Sequence, residues 1–117
     1  MTKNELKNLI ACAAGRRKVD IVIKNCQIVN VLSGEIYLGE VAIADGKIVG
    51  MGNAEYDGEQ IIDAGGKYLA PGFIDAHIHI ESSYISPEQL GRIVVPCGTT
   101  TIIADPHEIA NVCGLRG

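Results

Sequence analysis

The residues best suited to chemistry are His77 and His79, separated by Ile78 near the end of the apolar run Gly72 to Ile80. On a strand, successive side chains point to opposite faces. Phe73, Asp75, His77 and His79 then share one face, and Ile74, Ala76, Ile78 and Ile80 share the other. The second face is wholly apolar and suits packing under helices. The first turns polar toward the strand's C-terminal end, where parallel α/β folds build their sites. Two imidazoles at this spacing stand roughly 6–7 Å apart at Cα. Both rings can therefore converge on one ion, at about 2.0–2.1 Å per bond. Imidazole suits divalent Zn, Mn, Fe or Ni, so the spacing does not name the metal. The plainer alternative is a pair of histidines satisfied at the surface or within a core.

Other polar residues stand near this pair in sequence or in pattern. Glu81 continues the parity 75, 77, 79 and is expected at the mouth of the site, against the alternative of a solvated carboxylate. Asp75 shares the face but lies deeper, where a structural hydrogen bond and a supporting role to a ligand are both open. His107 follows a second apolar strand and so falls at the same rim. It is a candidate for contact with metal or substrate, or else a surface histidine at a helix start. Asp105 is expected to be the N-cap of that helix, with Glu108 at the third position. Ser82 and Ser83 have no base partner visible in sequence, which argues against a serine nucleophile. No G-x-G-x-x-G or P-loop pattern occurs.

The elements that must position these residues are legible from periodicity and turn chemistry. Thr2 and Glu5 fit a capping box. Leu6, Leu9, Ile10, Ala13 and Ala14 then form an apolar stripe at helical spacing, closed by Gly15. From Val19 the period changes to two. Val19–Lys24, Gln27–Leu32, Val41–Ala44, Lys47–Val49 and Ile61–Ile62 read as short, mostly antiparallel strands. Asp45-Gly46 supplies a type I′ hairpin turn, and Tyr56-Asp57-Gly58-Glu59 another turn. After Pro71 the order becomes strand, helix, strand, helix. Ser86 caps the first helix with Pro87 at its first position, and Thr99 to Ala104 is a buried strand. Apolar strands alternating with helices signal βαβ units on a parallel sheet.

Composition narrows the classes. The chain has 117 residues, 47% of them apolar, which is globular rather than disordered. Ten basic against fourteen acidic residues give a net charge of −4. That argues against a nucleic-acid binder or an acidic-membrane binder, since both need a basic face. No stretch approaches the ~20 apolar residues of a membrane helix, and the N-terminus lacks the order of a secretory signal. Cys12, Cys26, Cys97 and Cys113 form no Cys-x-x-Cys pair. They are expected to be reduced, small buried hydrophobes in a cytoplasmic protein.

Pro71-Gly72-Phe73-Ile74-Asp75-Ala76-His77-Ile78-His79 resembles the first barrel strand of the amidohydrolase superfamily. Ile80-Glu81-Ser82-Ser83 and Ala104-Asp105-Pro106-His107-Glu108-Ile109-Ala110-Asn111-Val112-Cys113-Gly114 are similar to the bacterial-type adenine deaminases of that superfamily. The resemblance covers essentially the whole chain. It implies an α/β fold with three parts. An N-terminal helix takes 1–18, a small β-sandwich-like accessory domain 19–70, and the first two β/α units of a TIM-type (β/α)8 barrel 71–117.

It also implies hydrolysis of adenine to hypoxanthine and ammonia in a cytoplasmic, homo-oligomeric parent. His77 and His79 would ligate a divalent metal, Mn first, with Fe or Zn as alternatives. Glu81 and His107 would be the candidate catalytic groups. A full barrel takes about 250 residues, so the resemblance implies a truncated, N-terminal piece. The later ligands and the superfamily's general-base Asp would lie elsewhere, and the piece would be inactive alone. The competing readings are another amidohydrolase, acting on cyclic amides or N-acyl sugars, and a non-catalytic fragment.

Overall fold

The computed structural model describes residues 1–115. They form two compact units, Met1–Ala70 and a second beginning at Pro71.

The first unit opens with helix α1, Lys3–Ala13. Its capping box is complete: the Glu5 amide donates to Thr2 Oγ1, and the Thr2 amide donates to the Glu5 carboxylate at 2.7 Å. At the other end Gly15 takes φ +66°. Its amide reaches the Cys12 carbonyl, and the Arg16 amide reaches the Ala11 carbonyl. These two bonds make a Schellman close. The helix docks through Leu9 and Cys12, whereas the expected stripe members Leu6 and Ile10 are exposed.

Strand β1 (Val19–Asn30) is the spine of a five-stranded sheet. The two β-rich runs expected separately are this one strand, bent by a bulge between Ile23 and Cys26. Asn25 sits in the bulge at φ +53°, and its amide side chain donates to Asp63 Oδ1 at 3.0 Å. On one edge of β1, β2 (Glu35–Ala44) runs antiparallel, followed by β3 (Lys47–Gly52). Asp45 and Gly46 both have positive φ, as the hairpin turn requires. On the other edge β4 (Gly58–Asp63) and β5 (Tyr68–Leu69) run parallel to β1. The expectation of mostly antiparallel strands is therefore corrected to a mixed sheet. Gly58, expected in a turn, opens β4 instead. A Cβ there would stand 2.7 Å from Val22 Cγ2.

Two apolar clusters hold the sheet. Leu9, Cys12, Val19, Val22, Ala42 and Ala44 pack with Val49 and Tyr56 on the α1 side. Cys26, Ile28 and Val41 pack with Ile23, Tyr37, Ile43, Ala64 and Leu69. Val41 alternates with Ala42 along β2, so this second cluster uses the opposite face. All four cysteines are free; Cys12 and Cys26 are buried, and Cys97 and Cys113 are exposed. The burial expected for the last two is thereby corrected.

The second unit contains β6 (Phe73–Ile78), α2 (Pro87–Val94), β7 (Thr99–Ala104) and α3 (His107–Cys113). β6 and β7 pair in parallel. Ser86 caps α2 by accepting the Gln89 amide, with Pro87 in the first turn. Leu90 is the buried residue of this unit. Ile74 and Ile103, expected inside a layered structure, are 65% and 57% exposed. The class is the expected mixed α/β. No helix among the described residues is long and apolar enough to cross a membrane.

Candidate metal centre

The parallel pair β6–β7 ends at one place. The Asp105 amide, just past β7, donates to the Ile78 carbonyl at the last residue of β6, at 3.1 Å. The residues following each strand are thereby held side by side, at the C-terminal ends where α/β sheets carry their ligands.

His77 lies within β6, and His79 follows one residue after it in extended conformation (φ −105°, ψ 100°). Their ring centroids are 5.0 Å apart, so the two imidazoles stand together. A third ring joins from the other strand: His107, the first residue of α3, lies 5.0 Å from His79. The strand ends sooner than expected, because Ile80–Ser83 forms a 3₁₀ turn. Strand parity therefore does not place Glu81. The turn folds it back, and its carboxylate lies with His79 and His107. The ligand atoms of these three residues are all within 4.8 Å of one another. A second such group is His77, His79 and Asp105.

Asp105 is not the helix cap that the sequence suggested. The cap position is Pro106 (φ −88°, ψ 40°), with no side-chain cap bond. Asp105 instead serves the imidazoles. Its backbone carbonyl is 3.0 Å from His79 Nδ1. Its carboxylate Oδ2 is 3.0 Å from His107 Nδ1 and 4.0 Å from His79 Nδ1. A carbonyl oxygen can only accept, so His79 carries its proton on Nδ1 and offers the lone pair of Nε2. The carboxylate sets His107 the same way. This is the support a ligating histidine needs, with one ring nitrogen fixed and the other free. Sequence reasoning missed this role; the signal available was an acid two residues before a histidine at a strand end.

Glu81 fills the vacant capping role. Its Oε1 accepts the Glu108 amide at 3.1 Å, near the start of α3. Its other oxygen, Oε2, is buried and has no hydrogen-bond partner. The Glu81 carboxyl is held below its ordinary range, first by a hydrogen bond from its own amide. Burial opposes this, while the Glu108 amide and the nearby His107 and His79 reinforce it. Asp75 takes a structural bond, accepting the His77 amide at 3.1 Å. Ser83 donates to the Ile80 carbonyl within the 3₁₀ turn, as a turn-stabilising hydroxyl does.

The donor set fits a divalent ion. Two groups of three donors share His79, one with His77 and Asp105 and the other with Glu81 and His107, and one Glu81 carboxylate oxygen is buried without a partner. Such an oxygen is unfavourable if nothing satisfies it. The N and O donors suit Mn, Fe or Zn.

Residues 68–116 match the amidohydrolase family. The whole chain is similar to proteins named adenine deaminase. It is 62% identical over 117 residues to adenine deaminase 2 of Desulfotalea psychrophila. It is 56% identical over 117 residues to the adenine deaminase of Ligilactobacillus salivarius. In both comparisons all of this chain aligns and 20% of the relative is covered, so the chain spans about a fifth of their length. Two solved structures are similar in backbone fold. One is the N-acyl-D-glutamate deacylase of Bordetella bronchiseptica, complexed with zinc and a phosphonate inhibitor. It has TM-score 0.61 and 27% identity, over 75% of this chain and 19% of that one. The other is the L-hydantoinase of Arthrobacter aurescens, with TM-score 0.60 and 28% identity, over 75% of this chain and 21% of that one.

Proposed function

We propose that this homologue of the adenine deaminases, with its amidohydrolase segment at residues 68–116, supplies metal-ligating imidazoles to an enzyme that hydrolyses adenine to hypoxanthine and ammonia. The observation that carries the reading is the 62% identity over 117 residues. That alignment spans the His77-x-His79 pair together with Glu81-Ser82-Ser83 and Asp105-Pro106-His107-Glu108. The activity is that of the protein as a whole, of which the chain represents about a fifth by the length of its relatives.

In this reading His77 and His79 are the ligands and Mn is the ion, with Fe or Zn able to use the same donors. When bound, a divalent ion supplies water that is acidic enough to ionise near neutral pH. The chain's own residues do the rest. Asp105 fixes the His79 tautomer through its carbonyl and orients His107 through its carboxylate. Glu81 and His107 reach the same space and are the candidate catalytic groups, able to touch the ion or the substrate there. The substrate in this reading is a small neutral base. The negative net charge of −4 agrees with that and not with nucleic acid. Purine salvage in the cytoplasm, by a homo-oligomer, is the corresponding cellular role.

The structural neighbours that act on other amides are 27% and 28% identical, which does not favour their substrates over adenine. The test is direct. The whole protein, loaded with Mn²⁺, is given adenine, hydantoin or dihydroorotate, and absorbance and ammonia are followed. Adenine is expected to convert with one ammonia released per purine. His77→Ala or His79→Ala should lower turnover by at least about 1,000-fold, since the ion supplies several kcal/mol of barrier lowering. Turnover of hydantoin without adenine would replace this reading by cyclic-amide hydrolysis.

A further inference from the structure

The two oxygens of Glu81 have different fates. Oε1 is committed to the Glu108 amide at 3.1 Å. Oε2 is buried and unpartnered. A turn that only needed to cap α3 would leave the second oxygen in water. The Glu81 carboxylate also stands with His79 and His107, one ligand atom of each within 4.8 Å of the others. Ligand atoms around a tetrahedral ion with bonds of about 2.1 Å stand roughly 3.4 Å apart. Small side-chain rotations close the difference.

His79 has one lone pair to give, because Nδ1 faces the Asp105 carbonyl at 3.0 Å. Asp105 has already committed Oδ2 to His107, also at 3.0 Å. Asp105 Oδ2 is thus already engaged by His107, whereas Glu81 Oε2 has no partner. We propose that Glu81 Oε2 and the free ring nitrogen of His107 bind the divalent ion together with His79, so that the ion bridges the two strand ends. This rests on the reading that a divalent ion binds beside the His77-x-His79 pair, and it adds ligands that the pair alone does not name.

Capping and ligation can be separated by one substitution. Glu81→Gln keeps a carbonyl oxygen for the Glu108 amide and removes the negative charge from the ligating position. Metal-free protein and its variants are titrated with Co²⁺, followed by visible absorption and equilibrium dialysis. Glu81→Gln should weaken Co²⁺ binding by more than about 100-fold, beyond the 10–100-fold typical of outer-shell changes. It should also alter the ligand-field bands, while the melting point of the metal-free protein stays near that of the parent. His107→Ala, at an exposed side chain, should weaken binding at least about tenfold, and it decides between the outcomes if Glu81→Gln does not fold. If both variants bind Co²⁺ with parental affinity and spectrum while His77→Ala or His79→Ala abolishes binding, the inference falls and the functional reading stands. If the parent protein takes up no Co²⁺, both fall.

Discussion

Asp105 shows how much of the site depends on where a helix begins. The run Asp-Pro-His-Glu has the composition of a helix start, yet the first turn opens one residue later than that composition implies. Pro106 takes the cap position, so the Asp105 carboxylate cannot reach the helix amides and turns to His107 instead. The displaced capping duty passes to Glu81, 27 residues before the Glu108 amide that it accepts. Burial makes a similar division among the thiols. Cys26 donates to the Gly39 carbonyl at 3.3 Å, and its pKa is raised, chiefly by burial. Cys97 and Cys113 are open to solvent. A thiol reagent at pH 8 should label these two rapidly and reach Cys12 and Cys26 only on unfolding. Rapid labelling of four thiols would refute the packing around α1 and the bulge.

At the level of elements, local signals are readable in the sequence and pairings are not. The capping box, the Asp45-Gly46 hairpin and the Ser86–Pro87 helix start all follow from residue types within four positions of one another. The parallel attachment of β4 and β5 to β1 depends on partners some 40 residues apart, and a period of two does not encode direction. The early end of β6 is hidden for a related reason. Ile80 continues the apolar run, and only the 3₁₀ turn with Tyr84 at φ +59° betrays the change. The close approach of β6 to β7 offers a test. A Cβ on Gly72 would lie 2.8 Å from Thr100 Cβ and nearer still to its other side-chain atoms. Gly72→Ala should cost about 1–3 kcal/mol in denaturant titration, the usual penalty of overpacking. Gly91→Ala, inside α2 with open space around the new methyl, should be neutral or stabilising by up to about 1 kcal/mol.

For the molecule as a whole, buried side chains are unevenly shared. Among the described residues, Leu9, Cys12, Val19, Val22, Cys26, Ile28, Val41, Ala42 and Ala44 belong to the first unit, and Leu90 alone to the second. Amide exchange should follow this division. The hydrogen-bonded amides of β1 and β2 should outlast those of β6 and β7 by at least about tenfold; equal protection would contradict the assignment of the core. The sequence pattern marks both units, with the change at Pro71, but overstates the burial of the second, because apolar residues mark a face that can be covered, whatever covers it. The candidate site stands on this sparsely packed unit, and its two Asp105 contacts differ in kind. His107 leans on a carboxylate, which one codon change removes. His79 leans on a peptide oxygen, which all twenty amino acids possess. Drift at position 105 can therefore disarm one imidazole while leaving the other insulated from it.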